Sequence, residues 1–98
     1  MKVYWSSKAS ARLREIYDCI AKDSHARALG VVDRITKRSA LLAIEPRADR
    51  RVPEYMQDDI REVLEPPFRI IYLLTIDTVE IVTIKHYRQR LADRPTDL

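Results

Sequence analysis

Four residues in the second half of the chain carry side chains that suit acid–base and phosphate chemistry: Glu54, Arg69, His86 and Tyr87. Cleavage of RNA through its own 2′-hydroxyl needs a general base, an acid for the leaving oxygen and a cation beside the phosphate. Glu54 could act as the base, and Arg69 could hold the phosphate. His86 or Tyr87 could then supply the proton, so the residue types admit a ribonuclease.

Glu54 and Arg69 also have structural interpretations. Glu54 could form an ion pair with Arg51 or Arg69 that holds the fold together. Arg69 lies in an apolar stretch, where an arginine usually packs its stem and pairs or exposes its head. For Glu54 the structural interpretation is favoured over the catalytic one.

His86 and Tyr87 are adjacent, and this limits what they can do together. If the segment around them stays extended, their side chains point to opposite faces of a sheet and cannot serve one site. The strand must end or bulge for both to converge. A histidine at a strand end is more often hydrogen-bonded and structural, and Tyr87 could cover the core edge with its hydroxyl in water.

The first half of the chain predicts one short strand and two helices. The strand covers Lys2 to Trp5, and serines that suit helix N-caps follow it. An amphipathic helix is predicted from Lys8 to Lys22, and a second from about His25 to Ile44, ending before Pro46. The short link between the two predicts an antiparallel helical hairpin. The apolar face of the first helix consists of Leu13, Ile16, Tyr17 and Ile20.

The second half predicts three strands after a charged loop from Pro46 to Pro53. The strands cover Ile60 to Leu64, Phe68 to Ile76 and Val79 to His86. The middle segment is apolar on both alternating faces, which is typical of a central strand. The sequence thus predicts an α+β domain in the order β-α-α-β-β-β: an N-terminal strand, a helical hairpin and a three-stranded antiparallel meander, with the helices on one face of a small antiparallel sheet.

Composition narrows the class of protein. Ninety-eight residues, 46% hydrophobic and 34% charged, predict one soluble domain over residues 1–98, with a tail at 92–98 that is frayed or ordered by a partner. The net charge of +3, carried by 13 arginines and 5 lysines, permits an acidic or nucleic-acid partner. One cysteine and one glycine give no metal, disulfide or nucleotide motif, so no cofactor or metal is expected. No stretch predicts a signal peptide or membrane span, and a cytoplasmic location is expected.

Four motifs stand out in the second half of the chain: Val52-Pro53-Glu54, Ile60-Arg61-Glu62, Phe68-Arg69-Ile70-Ile71-Tyr72 and Ile84-Lys85-His86-Tyr87-Arg88. Together with the order of elements, these motifs resemble the ParE/RelE superfamily of bacterial type II toxins over about residues 2–91. The resemblance implies a cognate antitoxin that wraps and neutralises the chain, a toxin–antitoxin hetero-oligomer, and a role such as plasmid stabilisation.

The resemblance implies two different toxic activities. RelE-like members cut mRNA in the ribosome, and the YoeB branch uses a Glu, an Arg and an adjacent His-Tyr pair that match Glu54, Arg69, His86 and Tyr87. ParE-like members poison DNA gyrase and imply no hydrolytic chemistry, so whether the chain is an enzyme stays open. The absence of lysine between Lys37 and Lys85, the long helical hairpin and the arginine-containing loop from Pro46 to Glu54 (the arginine loop) favour the ParE branch. A non-toxic binding module or corepressor is the third hypothesis.

Residues expected to contact the target or the antitoxin lie on the first helix, in the arginine loop and strand after it, and in the basic C-terminal run, where an acidic antitoxin segment could dock. Removal of everything after His86 is expected to abolish toxicity without loss of the fold. An Arg69→Ala change is expected to distinguish the two toxic activities. The contact residues are Leu13, Ile16, Tyr17, Arg50, Arg51, Arg61, Lys85, Arg88 and Arg90.

Overall fold

The computed structural model describes all residues from 1 to 98, and its elements follow the predicted α+β order. Two 3-10 turns, Leu41–Ala43 and Pro95–Asp97, complete it. The main elements are β1 (Lys2–Trp5), α1 (Ser7–Ala21), α2 (His25–Ala40), β2 (Arg50–Arg51), β3 (Ile60–Glu65), β4 (Phe68–Leu74) and β5 (Thr78–His86).

Serine caps begin both helices, as predicted. The Ser6 hydroxyl accepts from the Ala9 amide at 3.0 Å, and the Ser24 hydroxyl accepts from the Arg27 amide at 3.1 Å. Each bond satisfies one of the amides that an α-helix leaves free in its first turn. α2 ends at Ala40, earlier than predicted, because the chain tightens there into a 3-10 turn.

The five strands form one sheet in the order β1-β5-β4-β3-β2. The predicted central strand, β4, does lie in the middle. The predicted antiparallel meander is confirmed by β3, β4 and β5. The sheet as a whole is mixed, not antiparallel as expected, because β1 runs parallel to β5. This pairing joins the two ends of the chain, and local sequence patterns do not encode it.

β2 was not predicted, because two exposed arginines give no apolar alternation. Arg50 and Arg51 pair antiparallel with Glu62 and Arg61 of β3. β4 also ends at Leu74, two residues early, because the chain turns there into β5.

The helices cover one face of the sheet, where most of the core lies. A smaller apolar cluster occupies the opposite face and is formed by Val52, Ile60, Ile71 and Leu91. The larger cluster is formed by Ala9, Ile16, Ile35, Leu42, Val63, Phe68, Ile70, Tyr72, Leu74, Val79, Ile81 and Ile84.

A bulge in β5 sets which side chains face the helices. Ile71 pairs with Thr83 while the next residue, Tyr72, pairs with Ile81, so Val82 is an extra residue in β5. Beyond the bulge, Ile84 returns to the helix face.

Candidate functional site

A chain of ion pairs lies on the sheet face opposite the helices. Arg69 of β4 donates from its two terminal nitrogens to both oxygens of Glu54, at 2.7 and 2.8 Å. Its Nε donates to Glu62 of β3, which also accepts from Arg50. The Glu62 side chain is fully buried, and that of Arg69 is 11% exposed. Two arginines and two carboxylates therefore form one neutral cluster.

The strand register brings these side chains together. Leu64 lies opposite Arg69, and Glu62 lies opposite both Ile71 and Arg50, so all of them project from one face of the sheet.

The loop after β2 completes the cluster. Val52 is buried, and its carbonyl accepts from the amides of Tyr55 and Met56 at 3.1 and 2.9 Å. Met56 closes this turn with a left-handed φ of 55°. The turn holds Glu54 over the sheet, in contact with Arg69.

Electrostatics make this cluster a poor acid–base centre. Hydrogen bonding to Arg69 lowers the pKa of Glu54, and burial opposes that shift only in part. The bond to Glu54 likewise raises the pKa of Arg69, against the effect of burial. A general base works best with a pKa near the working pH, and a phosphate clamp needs free donors. The lowered pKa of Glu54 lies further from the working pH, so Glu54 is a weaker base. Arg69 already donates to two carboxylates, so it is poorly placed to bind a phosphate.

Tyr87 joins Glu54 and Arg69, whereas His86 does not. Tyr87 is 46% exposed and lines a shallow pocket with Glu54, Arg69 and Leu64. His86 lies on the helix side, where its ring packs edge to face on Phe68 with centroids 5.7 Å apart. β5 ends at His86, but the turn that follows keeps the two side chains on opposite faces. Three of the four predicted catalytic residues are therefore neighbours, and His86 is separated from them.

His86 instead borders a groove between the helices and the turn before β4. Arg12, Arg27 and Arg34 line this groove, together with Glu15 and with Ile16 at its apolar base. The groove thus combines an apolar floor with a mainly basic edge.

The predicted contact residues of α1 are mainly packing residues. Ile16 is 4% exposed, and Leu13 packs partly buried against the same core. The Tyr17 hydroxyl lies 2.6 Å from Nδ1 of His25 and ties the two helices together.

The predicted cationic contact residues divide into engaged and unpaired groups. Arg61 bonds Asp58 and the backbone carbonyl of Asp49, so it fastens the arginine loop. Arg50 is engaged with Glu62, and Arg90 reaches Asp93 only at 3.8 Å. The three cations of this set that form no salt bridge are Arg51, Lys85 and Arg88.

Glu62, the buried carboxylate of the cluster, is not among the site residues predicted from the sequence. The signal was present in the alternation Ile60, Glu62 and Leu64, which puts a carboxylate on an apolar strand face where it needs a partner. No group of His, Cys, Asp and Glu is arranged to hold a metal ion, and no helix has the length and apolarity to cross a membrane.

A family model described as "ParE toxin of type II toxin-antitoxin system, parDE" matches residues 3–91. A solved structure described as "Chromosomal ParDE TA system from P. aeruginosa" is similar, with a TM-score of 0.71 and 26% identity over 88% of this chain and 95% of the other. A search of proteins with curated descriptions found no significant match.

Proposed function

The chain belongs to the ParE toxin family of type II toxin–antitoxin systems, and from this premise we propose that it arrests bacterial growth by poisoning DNA gyrase. The family match over residues 3–91 carries the proposal, because it spans both helices and every strand of the sheet. In this proposal the toxin acts in the cytoplasm and is neutralised there by a cognate antitoxin, with which it forms a hetero-oligomer.

The ion-pair cluster supports a binding function over hydrolysis. A ribonuclease would need Arg69 for the phosphate and a proton acceptor and donor on either side of it. Arg69 contacts two carboxylates here, its hydrogen bonds lower the pKa of Glu54 and so weaken it as a base, and His86 faces away. The cluster is therefore suited to fixing the loop and strands beneath a contact surface.

That contact surface lies around the C-terminal end of β5. Tyr87 and Leu64 are large apolar side chains left 46% and 37% exposed. Lys85 pairs with Arg69 across the strands and Arg88 follows Tyr87 in the chain, and neither forms a salt bridge. Aromatic residues and arginines often dominate the energetics of protein interfaces. We infer that this surface contacts an acidic region of the target or of the antitoxin.

Pulse labelling tests the proposal. The chain is induced without its antitoxin, and thymidine incorporation is compared with amino-acid incorporation within minutes. We expect DNA synthesis to stop first. Purified gyrase incubated with the chain and supercoiled DNA should also accumulate cleaved DNA.

A Tyr87→Phe variant gives a matched control, because it removes only an exposed hydroxyl. A gyrase poison should keep most of its toxic activity after this change. A ribonuclease that uses Tyr87 as its acid should lose mRNA cleavage. Protein synthesis that stops first, together with sensitivity to Tyr87→Phe, would overturn the proposal. If neither DNA synthesis nor protein synthesis changed, the chain would be a non-toxic binding module.

A further inference from the structure

Side chains replace a missing strand along the second half of β5. β1 pairs with β5 only as far as Trp5 opposite Ile81, so the backbone beyond that point has no strand neighbour on this side. Ser6 donates from its hydroxyl to the Val82 carbonyl at 2.8 Å, and Arg12 donates from Nε to the Ile84 carbonyl at 3.2 Å. These partners satisfy backbone groups that an open sheet edge would expose.

Gln89 completes the edge and links it to α1. Its side-chain oxygen accepts from the His86 amide at 2.8 Å and from Nη2 of Arg12 at 3.0 Å. Arg12 is held in turn by Glu15 at 3.2 Å. One amide oxygen therefore joins the last strand to the first helix.

Hydrogen bonds to His86 close the turn that follows β5. The Gln89 amide donates to the His86 carbonyl at 2.9 Å, and the Arg88 amide donates to Nδ1 of His86 at 3.1 Å. On the other side of the strand, the Tyr87 amide donates to the Pro67 carbonyl at 2.9 Å. The direction in which the chain leaves β5 is thereby determined.

We propose that Arg12 and Gln89 are positioning residues that fix the course of segment 87–91. They hold the turn so that Tyr87 lies beside Arg69, on the face opposite the helices. They also block the free edge of β5 against pairing with another strand. We call the hydrogen bonds of Arg12 and Gln89 to β5 and to each other the clamp. Its consequence for growth arrest rests on the proposed function, but the clamp itself does not.

Amide hydrogen exchange on the full chain tests the clamp directly. In a Gln89→Ala variant the His86 amide loses its acceptor, so its exchange should accelerate by roughly five- to tenfold, the equivalent of about 1 kcal/mol. A Gln89→Glu variant should restore protection, because a carboxylate accepts from both donors. An unchanged His86 exchange rate in Gln89→Ala would overturn the clamp.

An Arg12→Ala variant gives a second test of the clamp, with Arg14→Ala on the same helix as its control. Arg14 is exposed and forms no salt bridge. Arg12→Ala should make trypsin cleave faster after Arg88 and Arg90, whereas Arg14→Ala should leave cleavage at these sites unchanged. Equal cleavage rates in the two variants would contradict a positioning role for Arg12.

Growth arrest across a range of inducer concentrations then tests the functional consequence. Gln89→Ala should need more inducer than the wild type, and Gln89→Glu should behave as the wild type. Faster exchange with unchanged toxicity would show that the clamp does not position the toxic surface. A wild-type chain that causes no arrest would count against the proposed function, while the exchange measurement would still decide the clamp.

Discussion

Phe68 and His86 lie directly opposite each other on β4 and β5, and their rings pack edge to face at 5.7 Å on the helix side of the sheet. The next pair along these strands, Arg69 and Lys85, projects to the other side. One step along a strand reverses the face on which a side chain lies. His86 is therefore a packing partner of Phe68, and Tyr87 is the residue that reaches Arg69.

Removal of Arg69 should destabilise the fold, and any activity of the chain should fall as a consequence. Arg69→Ala leaves the buried Glu62 with one partner and releases Glu54, which should lower the free energy of unfolding by about 3–5 kcal/mol. Urea denaturation followed by circular dichroism measures this loss. Arg51→Ala, at an exposed arginine without a salt bridge, should change stability by less than about 0.5 kcal/mol.

The expectation that Arg69→Ala separates the two toxic activities is therefore weakened, because both would suffer from unfolding. Tyr87→Phe is the cleaner discriminator. A loss of stability below about 1 kcal/mol in Arg69→Ala would show that the cluster is not structural.

Stability should depend on pH through Glu54. Because Arg69 lowers the pKa of Glu54 from its usual 4.5, the pair stabilises the folded state above about pH 4.5 and loses that contribution as the pH falls through the lowered value. Glu54→Gln should therefore be less stable than the wild type at pH 7, with a difference that shrinks in acid. Denaturation midpoints between pH 3 and pH 7 test this.

Glu45→Gln is the matched control for Glu54. Glu45 is exposed and forms no salt bridge, so its neutralisation should leave stability at pH 7 unchanged. A Glu54→Gln variant with the same pH dependence as the wild type would contradict a stabilising role for the pair.

Ser6 should matter more than an ordinary helix cap. It accepts from the Ala9 amide and donates to the carbonyl of the bulge residue Val82, so Ser6→Ala removes two contacts. We expect a loss of about 2 kcal/mol, against about 1 kcal/mol for Ser24→Ala, which removes a cap alone. Equal losses in the two variants would mean that the bond to Val82 adds nothing.

The C-terminal segment should contribute to folding through Leu91. This side chain is 6% exposed and packs with Val52, Ile60 and Ile71. Leu91→Ala should cost roughly 2–5 kcal/mol, measured by thermal and urea unfolding. Deletion of 87–98 should then unfold or weaken the chain, contrary to the expectation that its fold survives.

A shorter deletion separates the tail from the core. Removal of residues 93–98 keeps Leu91 and the Ala92 carbonyl, which accepts from the Tyr55 hydroxyl. This variant should lose less stability than Leu91→Ala. The reverse order would place the stabilising contacts in the last six residues, where Leu98 packs on the same cluster.

Local patterns in the sequence are enough to predict the elements whose signals come from neighbouring residues. Apolar spacing of three and four residues identified both helices, serines marked their starts, and unbroken apolarity identified β4 as the central strand. The motifs around Glu54, Arg69 and His86 also sufficed to indicate the family. These patterns can be recognised because each arises from residues that are close together in the sequence.

Features that depend on residues far apart in the chain become visible only in the folded sheet. The parallel pairing of β1 with β5 and the short strand β2 depend on contacts across the sheet, which leave no local periodicity. The bulge at Val82 placed Ile84 back on the helix face, and the turn after His86 sent Tyr87 to the other. Whether Glu54 was a base or an ion-pair partner depended on its distance from Arg69 and Glu62, which only the folded sheet sets.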